Sequence, residues 1–430
     1  MRILSALIIL SLNNQETTGA VSLHKQDFVL KRNFKMNRRT LFSALATLGS
    51  LVGSTIATAK AQAAKHPGFG GDIEARGTMG RVERLPSLYL ESQQDFLTGF
   101  RDWTDRRFNQ AAAKRMNELF ETKGLDPDAN PSIETVLEIV DGDPVIGMSA
   151  RTWISCQQLT WSTVQNEFDR DADMYLAEME ATDSNGPGTL ELNPDMELPD
   201  HVKHEIHIMP GGYVGEPLGG YVYHYGTNNF YKGRNSQDEV HIKYAGAVPT
   251  PENGKVRRIL EVGCCTGQMT MALKERFPDA EVWGIDAGGP MLRYGHMRAV
   301  DMGININLAQ RLAEDTKFED GYFDIVTSYI LFHEMPGEIS KQAVKEGFRV
   351  LRPGGVFFPI DFYTGSNRPS TKAYNKFRHW WDHRWNNEVW WQEYSALDLA
   401  AAMRISGFQV IEDGPAAWIG KNNLLGTKPV

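Results

Sequence analysis

Cysteine is scarce in this chain: Cys156, Cys264 and Cys265 are the three in 430 residues. That excludes a disulfide framework, and no metal-ligand spacing links them. Two are neighbours, where pairing would be strained, so all three are expected to be plain thiols. Positive charge is also short. A net charge of −9 argues against a nucleic-acid partner, which would select a basic face. Beyond the N-terminal region no apolar run is long enough to cross a bilayer, so no stable membrane span is expected. With 23% charged and 41% hydrophobic residues the composition is that of an ordinary globular protein, and the length allows two domains.

What is present centres on Arg257 to Ala287, RRILEVGCCTGQMTMALKERFPDAEVWGIDA. The run Ile259-Leu260-Glu261-Val262 has the length and branching of a buried parallel strand. Gly263-Cys264-Cys265-Thr266-Gly267 follows as a turn that lets a ligand approach the backbone closely. A helix then carries Met269, Met271, Ala272, Leu273 and Phe277 and stops at Pro278-Asp279. A second strand, Glu281 to Ile285, ends on Asp286. Strand, glycine turn, helix, strand and acid form the plan of a nucleotide-binding βαβ unit. Two glycine-rich alternatives are missing. The third glycine of a dinucleotide G-x-G-x-x-G turn is absent, which disfavours an NAD-dependent oxidoreductase, and no Gly-Lys-Ser/Thr marks a P-loop.

The spacing Glu261-x-Gly263-x-x-x-Gly267 resembles motif I of the class I S-adenosylmethionine (SAM) methyltransferases. The resemblance puts Asp286 where that family's carboxylate takes both ribose hydroxyls. A carboxylate suits that task because each oxygen accepts a hydrogen bond. Further phrases follow in order. Ala287-Gly288-Gly289-Pro290 opens a helix, and Arg311 to Phe318 resembles the G-D-A-E-x-L-P-F phrase of the ubiquinone/menaquinone C-methyltransferase-like branch. There Ala313 and Glu314 keep their places, but Leu312 replaces the aspartate that contacts adenine. Asp315 could take over that contact through a one-residue shift. Asp320-Gly321-Tyr322-Phe323-Asp324 resembles motif IV, and its strand runs past Ser328 to emerge at Tyr329-Ile330-Leu331-Phe332-His333-Glu334. Leu351-Arg352-Pro353-Gly354-Gly355 matches the L-x-P-G-G turn, with a strand from Val356 to Asp361 behind it.

The resemblance implies a Rossmann-like, seven-stranded class I methyltransferase domain of the α/β class over residues 251–430, with SAM as cofactor. It implies cofactor contacts from Glu261, Gly263, Cys265, Gly267, Asp286, Ala287, Ala313, Glu314, Asp315 and Ser328. His333, Tyr329 and Asp361, at strand ends, are the candidates for a general base. The expected reaction is methyl transfer to an oxygen or carbon nucleophile on a small, aromatic or lipophilic molecule. The alternative is a SAM- or nucleoside-binding protein without transferase activity, exported by the twin-arginine route.

Residues 64–250 are expected to form a mainly helical cap. Apolar residues recur at helical steps from Glu91 to Gly124, Ser132 caps a short helix, and a longer one spans roughly Ala150 to Ala181. Asp183 to Pro199 reads as a loop. His201, His204, His207 and Glu205 raise the question of a metal. However, His204 to Ile208 alternates like a strand, which would turn the nearest histidines to opposite faces, so no metal is assigned. The glycine- and tyrosine-rich stretch from Gly211 to Tyr225 fits a lid over the site or a β-hairpin on the sheet edge. An insert over 362–395 holds five tryptophans, expected to divide between lining a substrate cleft and docking on the helical cap.

Residues 1–63 read as a leader. Arg38-Arg39, the apolar run Leu45 to Ala57 and Ala61-Gln62-Ala63 make up a twin-arginine signal cut after Ala63, with Met36 as a possible start. Export to the periplasm follows if the signal is used, and a cytoplasmic site if it is an uncleaved tail.

Overall fold

The computed structural model describes residues 78–364, 368–417 and 421–430, all within one compact unit spanning 73–430. The twin-arginine pair, Met36 and the cleavage site lie outside the described residues. No helix among the described residues is long and apolar enough to cross a membrane.

A short ribbon, β1 (Thr78–Met79) and β2 (Val82–Glu83), leads into helices. These are α1 (Leu88–Trp103), α2 (Asn109–Thr122), α3 (Ile133–Val140), α4 (Pro144–Arg170) and α5 (Ala172–Glu180). The Ser132 hydroxyl accepts from Thr135 N–H at the start of α3, as its position in the sequence predicts. Asp143 caps α4 by accepting from Val145 and Ile146, so that helix begins earlier than the apolar pattern suggests.

Among the described residues the central sheet has eight strands, the expected seven from residues 251–430 and one more from the cap, in the order β3-β6-β5-β4-β7-β8-β10-β9. They are β3 (Thr189–Glu191), β4 (Arg258–Val262), β5 (Glu281–Asp286), β6 (Asn307–Gln310), β7 (Phe323–Tyr329), β8 (Leu351–Ile360), β9 (Gln409–Ile411) and β10 (Leu425–Thr427). All ladders are parallel except the two made by β10. The extra strand, β3, comes from the stretch read as a loop. It covers the edge of β6, whose unpaired backbone would otherwise face water. Gly188, just before it, lies so close to Ile306 that a Cβ would sit 2.0 Å from the Ile306 carbonyl oxygen. Three residues of edge pairing leave little trace in composition.

The remaining helices are α6 (Gly219–Phe230), α7 (Glu239–Ala247), α8 (Gln268–Arg276), α9 (Gly289–Met302), α10 (Gly337–Val350), α11 (Ala373–Trp385), α12 (Trp391–Ala396) and α13 (Leu399–Ser406). Two expectations are corrected here. The Gly211–Tyr225 stretch is not a hairpin; it is a glycine turn followed by α6. Tyr221, Tyr223 and Tyr225 alternate like a strand, but α6 is packed on several sides. Gly220 meets Tyr294 and Gly226 meets Trp161. The segment His204 to Ile208 is not a strand either. It forms a tight turn in which His207 and Ile208 take positive φ, near 52° and 53°.

The cap and the sheet share buried polar links. Asp238, fully buried before α7, accepts from Gln268 of α8 at 2.7 Å and pairs with Arg298 of α9 at 2.7 Å. The insert docks rather than lines. Phe377 and Trp381 pack in one cluster with Met116, Phe120 and Trp153 of the cap helices. Arg378 stacks between Trp153 and Trp381. None of the five tryptophans borders the central cavity, which corrects the expectation of a shared role.

Candidate functional site

At the carboxyl ends of β4, β5 and β7, where open α/β sheets bind ligands, lies a cavity of about 1070 Å³ with the open solvent at its mouth included. α6 and the His201–Tyr213 turn form its roof. One half is lined by Gly263, Cys265, Asp286, Ala287 and the Leu312–Glu314 turn. The other is aromatic, with Tyr213, Tyr223, Phe230, Tyr231 and Tyr329.

In the first half, Asp286 ends β5 and is half-buried at the cavity wall. Its carboxylate accepts from Cys265 N–H and from Gly288 N–H, both at 2.8 Å. Each oxygen thus keeps a lone pair for a ligand hydroxyl. Burial pushes its pKa up, and those backbone amides counter the rise. Gly263 has a φ of +68°, and a Cβ there would strike the Leu331 side chain at 2.5 Å. The turn is therefore closed to larger residues both by conformation and by space. Cys265 and Ile330, both bordering the cavity, also take positive φ. Such backbone strain in a β-branched residue is held in place only by the surrounding structure, and it gathers at ligand sites.

The other expected cofactor residues divide. Ala287, Ala313 and Glu314 line the cavity, and Glu314 sits 3.8 Å from His201. Glu261 does not reach the main cavity. It lies beneath the glycine turn, bonded to the Thr270 hydroxyl, with burial pushing its pKa up to about 8. Gly267 starts α8 with left-handed backbone and borders neither space. Ser328 is buried inside β7, away from the cavity. Asp315 turns outward, its carboxylate paired with Lys317. It does not border the cavity, and a short bridge between Leu312 and Asp315 closes the turn.

The three base candidates part company as well. Tyr329 lines the aromatic half, its hydroxyl 3.3 Å from that of Tyr231. Burial drives the Tyr329 phenol well above its usual range, so it stays protonated. His333 and Asp361 instead form a pair behind the cavity wall, Nδ1 to Oδ1 at 2.8 Å. Asp361 also accepts from the Phe332 and Phe362 amides and is saturated by its own chain. It is not placed to act as a base. Burial alone would depress His333, but the carboxylates of Asp361 and Glu334 outweigh it and raise the imidazole well above its usual value.

Sequence reasoning missed what surrounds this pair. His207 Nδ1 lies 2.5 Å from Glu388 and its Nε2 3.4 Å from Glu334, while His333 Nε2 lies 3.3 Å from Glu334. His201, His204 and His207 all border one cavity, so the opposite-face argument from strand alternation fails. Glu388 comes from the insert, far along the chain from His207. No spacing rule could have joined them.

Comparison with known proteins fits this geometry. Residues 259–355 match the family model described as a methyltransferase domain. A demethylmenaquinone methyltransferase of Thermus thermophilus is 36% identical over 106 residues, 25% of this chain and 47% of that protein. The ubiquinone/menaquinone biosynthesis C-methyltransferase UbiE of Stutzerimonas stutzeri is 32% identical over 123 residues, 28% of this chain and 47% of that one. The chain spans about half the length of the curated relatives it matches. Among solved structures, a Haemonchus contortus phosphoethanolamine N-methyltransferase 2 in complex with S-adenosyl-L-methionine is 18% identical. It covers 36% of this chain and 35% of that one, with a TM-score of 0.30. Residues 259–355 thus match a methyltransferase domain, and the sheet that holds them is Rossmann-like.

Proposed function

We propose that the chain is a SAM-dependent methyltransferase acting on a small aromatic or lipophilic molecule. The observation that carries this is the two-part cavity, with a carboxylate holding free lone pairs in one half and tyrosines in the other. The cofactor would supply a methyl group already activated on a sulfonium. What the chain must add is position. Asp286 would grip the ribose hydroxyls, and Ala287, Ala313 and Glu314 would flank the adenosine. Gly263 and Leu331 would set how close the donor lies to the wall of the aromatic half. That half suits a flat, apolar acceptor, because Phe230, Tyr213 and Tyr223 offer ring faces and exclude water. Tyr329, kept neutral by burial, would donate a hydrogen bond to an acceptor oxygen rather than take a proton. A non-catalytic nucleoside-binding protein would need only the first half, so the aromatic half favours the enzyme.

The test is calorimetric titration of SAM and S-adenosylhomocysteine, followed by methyl-transfer assays on phenols, quinols and fatty acids. Asp286→Ala should weaken nucleoside binding by about a hundredfold, the worth of two hydrogen bonds to a charged group. Asp286→Asn keeps the size of the side chain but sets its NH2 against one of the two backbone donors, and should fall between. A folded protein that binds neither nucleoside would end the methyltransferase reading, and binding without transfer would support the alternative.

A further inference from the structure

Behind the aromatic half, three elements bring His333, Glu334, Glu388 and His207 together. The two glutamates and the His333 ring are nearly or wholly withdrawn from water. One ring or carboxylate atom from each of His333, Glu334 and Glu388 lies within 4.8 Å of the others. A carboxylate oxygen of Glu388 and one of Glu334 are buried with no hydrogen-bond partner, and so is His204 Nε2. A buried, unpartnered carboxylate oxygen is costly to keep and needs a reason.

Charge sharpens the question. Glu334, Glu388 and Asp361 face two imidazoles, His207 and His333. The guanidinium that reaches Glu388 electrostatically, Arg378, is already held by Asp382 at 3.0 Å. Unless something positive is added, carboxylates in such a setting leave an uncompensated negative charge away from water. Protons on both imidazoles are one remedy. A divalent cation is the other.

The geometry points to the cation. His333 gives one ring nitrogen to Asp361 and turns the other toward Glu334, the arrangement in which a carboxylate fixes the tautomer of a metal-binding histidine. Ligands about 2.1 Å from a tetrahedral ion stand roughly 3.4 Å apart. The His333–Glu334 separation is 3.3 Å and the His207–Glu334 separation 3.4 Å. Only Glu388, now drawn to His207, must swing its free oxygen inward. We propose that His333, Glu334 and Glu388 bind one divalent cation at the cavity wall, with His207 near enough to add a fourth ligand. Mixed imidazole and carboxylate donors select Mn2+ or Zn2+ over Mg2+. Glu334 also lines the cavity, so an ion held there would face its contents.

The experiment uses the untagged full chain, stripped with a chelator and titrated with Mn2+, Zn2+ and Mg2+ in the absence of nucleoside. This keeps the outcome separate from that of the methyltransferase reading. One equivalent of Mn2+ or Zn2+ should bind, and Glu388→Gln should weaken it by about tenfold or more. Asp361→Asn, which loosens the hold on His333 and also sets an amide against one of the Phe332 and Phe362 backbone donors, should cost about 10–100-fold in metal affinity while leaving the stoichiometry at one. Should Glu388→Gln not fold, Glu334→Gln at the cavity rim takes its place. Absence of stoichiometric binding by the folded chain, or equal affinity in the glutamine variants, would overturn the site and leave a cluster neutralised by protons alone.

Discussion

Lowering the pH from 7 to about 4 is expected to cost the protein on the order of 5 kcal/mol of stability, through two buried histidines. His224 of α6 bonds to the Tyr294 hydroxyl, and His241 of α7 faces Asn235 and the ring of Tyr329. Burial depresses both, His224 to about 3 and His241 to about 4. Arg298 adds to the depression and Asp238 opposes it. Both rings are therefore neutral in the folded state. Above the ordinary histidine pKa of about 6.5, neither state binds a proton and nothing is at stake. Below it the unfolded chain takes up two protons that the folded chain refuses, until the folded values are reached. The slope is then roughly 2.7 kcal/mol per pH unit. Asp238, held below its usual range, acts in the same direction further down, since its stabilisation is lost as pH falls through its folded value. His207 and His333 are raised instead, so their stabilisation is complete below 6.5 and fades only as pH rises through their folded values. Urea unfolding at a series of pH values reads the slope directly. His241→Gln should remove about one proton from it, and a flat acid profile would show that these rings are not buried neutral.

The second large effect is steric. At Gly226 in the middle of α6, an added Cβ would lie 2.1 Å from the six-membered ring of Trp161. That indole cannot retreat: it is 1% exposed, packs edge-on against Phe230, and donates from Nε1 to the His207 carbonyl at 2.9 Å. Gly226→Ala should therefore destabilise by roughly 3 kcal/mol, the upper end of overpacking costs. It should also disturb the cavity, because Trp161 holds the turn carrying His207. Gly246 in α7 is the internal control. Nothing lies within 4 Å of its added Cβ, so Gly246→Ala should stabilise by about 0.5–1 kcal/mol through helix propensity alone. Thermal melts of both variants check the pair. Equal effects would mean that α6 is not packed as described.

The parts of the site that could be read from sequence are those built from near neighbours. The glycine turn and Asp286 belong to one βαβ unit, and their pattern is local. Ser132 announces α3 for the same reason. The cluster behind the cavity was not legible, because His207, His333, Asp361 and Glu388 come from four separate stretches brought together only by packing. Histidines 204 and 207 were misread because a five-residue alternation cannot be told from a turn with two left-handed residues. In α6 the tyrosines at every second position mimic a strand. What makes a helix there is external, since Gly220 and Gly226 admit Tyr294 and Trp161 from elements distant in sequence. Conversely, the tryptophans of the insert are expected to divide between a substrate cleft and the cap, yet none borders the cavity, and tertiary packing sets Trp381 against the cap and Trp391 against His333.

The order of strands across the sheet also has a consequence for synthesis. Among the described residues β9 pairs only with β10, and β10 is wedged between β8 and β9. While the chain emerges from the ribosome, the parallel core from β4 to β8 can assemble first. The far side of β8 then presents bare amides and carbonyls until residues 425–427 arrive, and β9 waits without a neighbour. During that interval the nascent protein carries an open, adhesive edge, which is the period in which a chaperone would matter most.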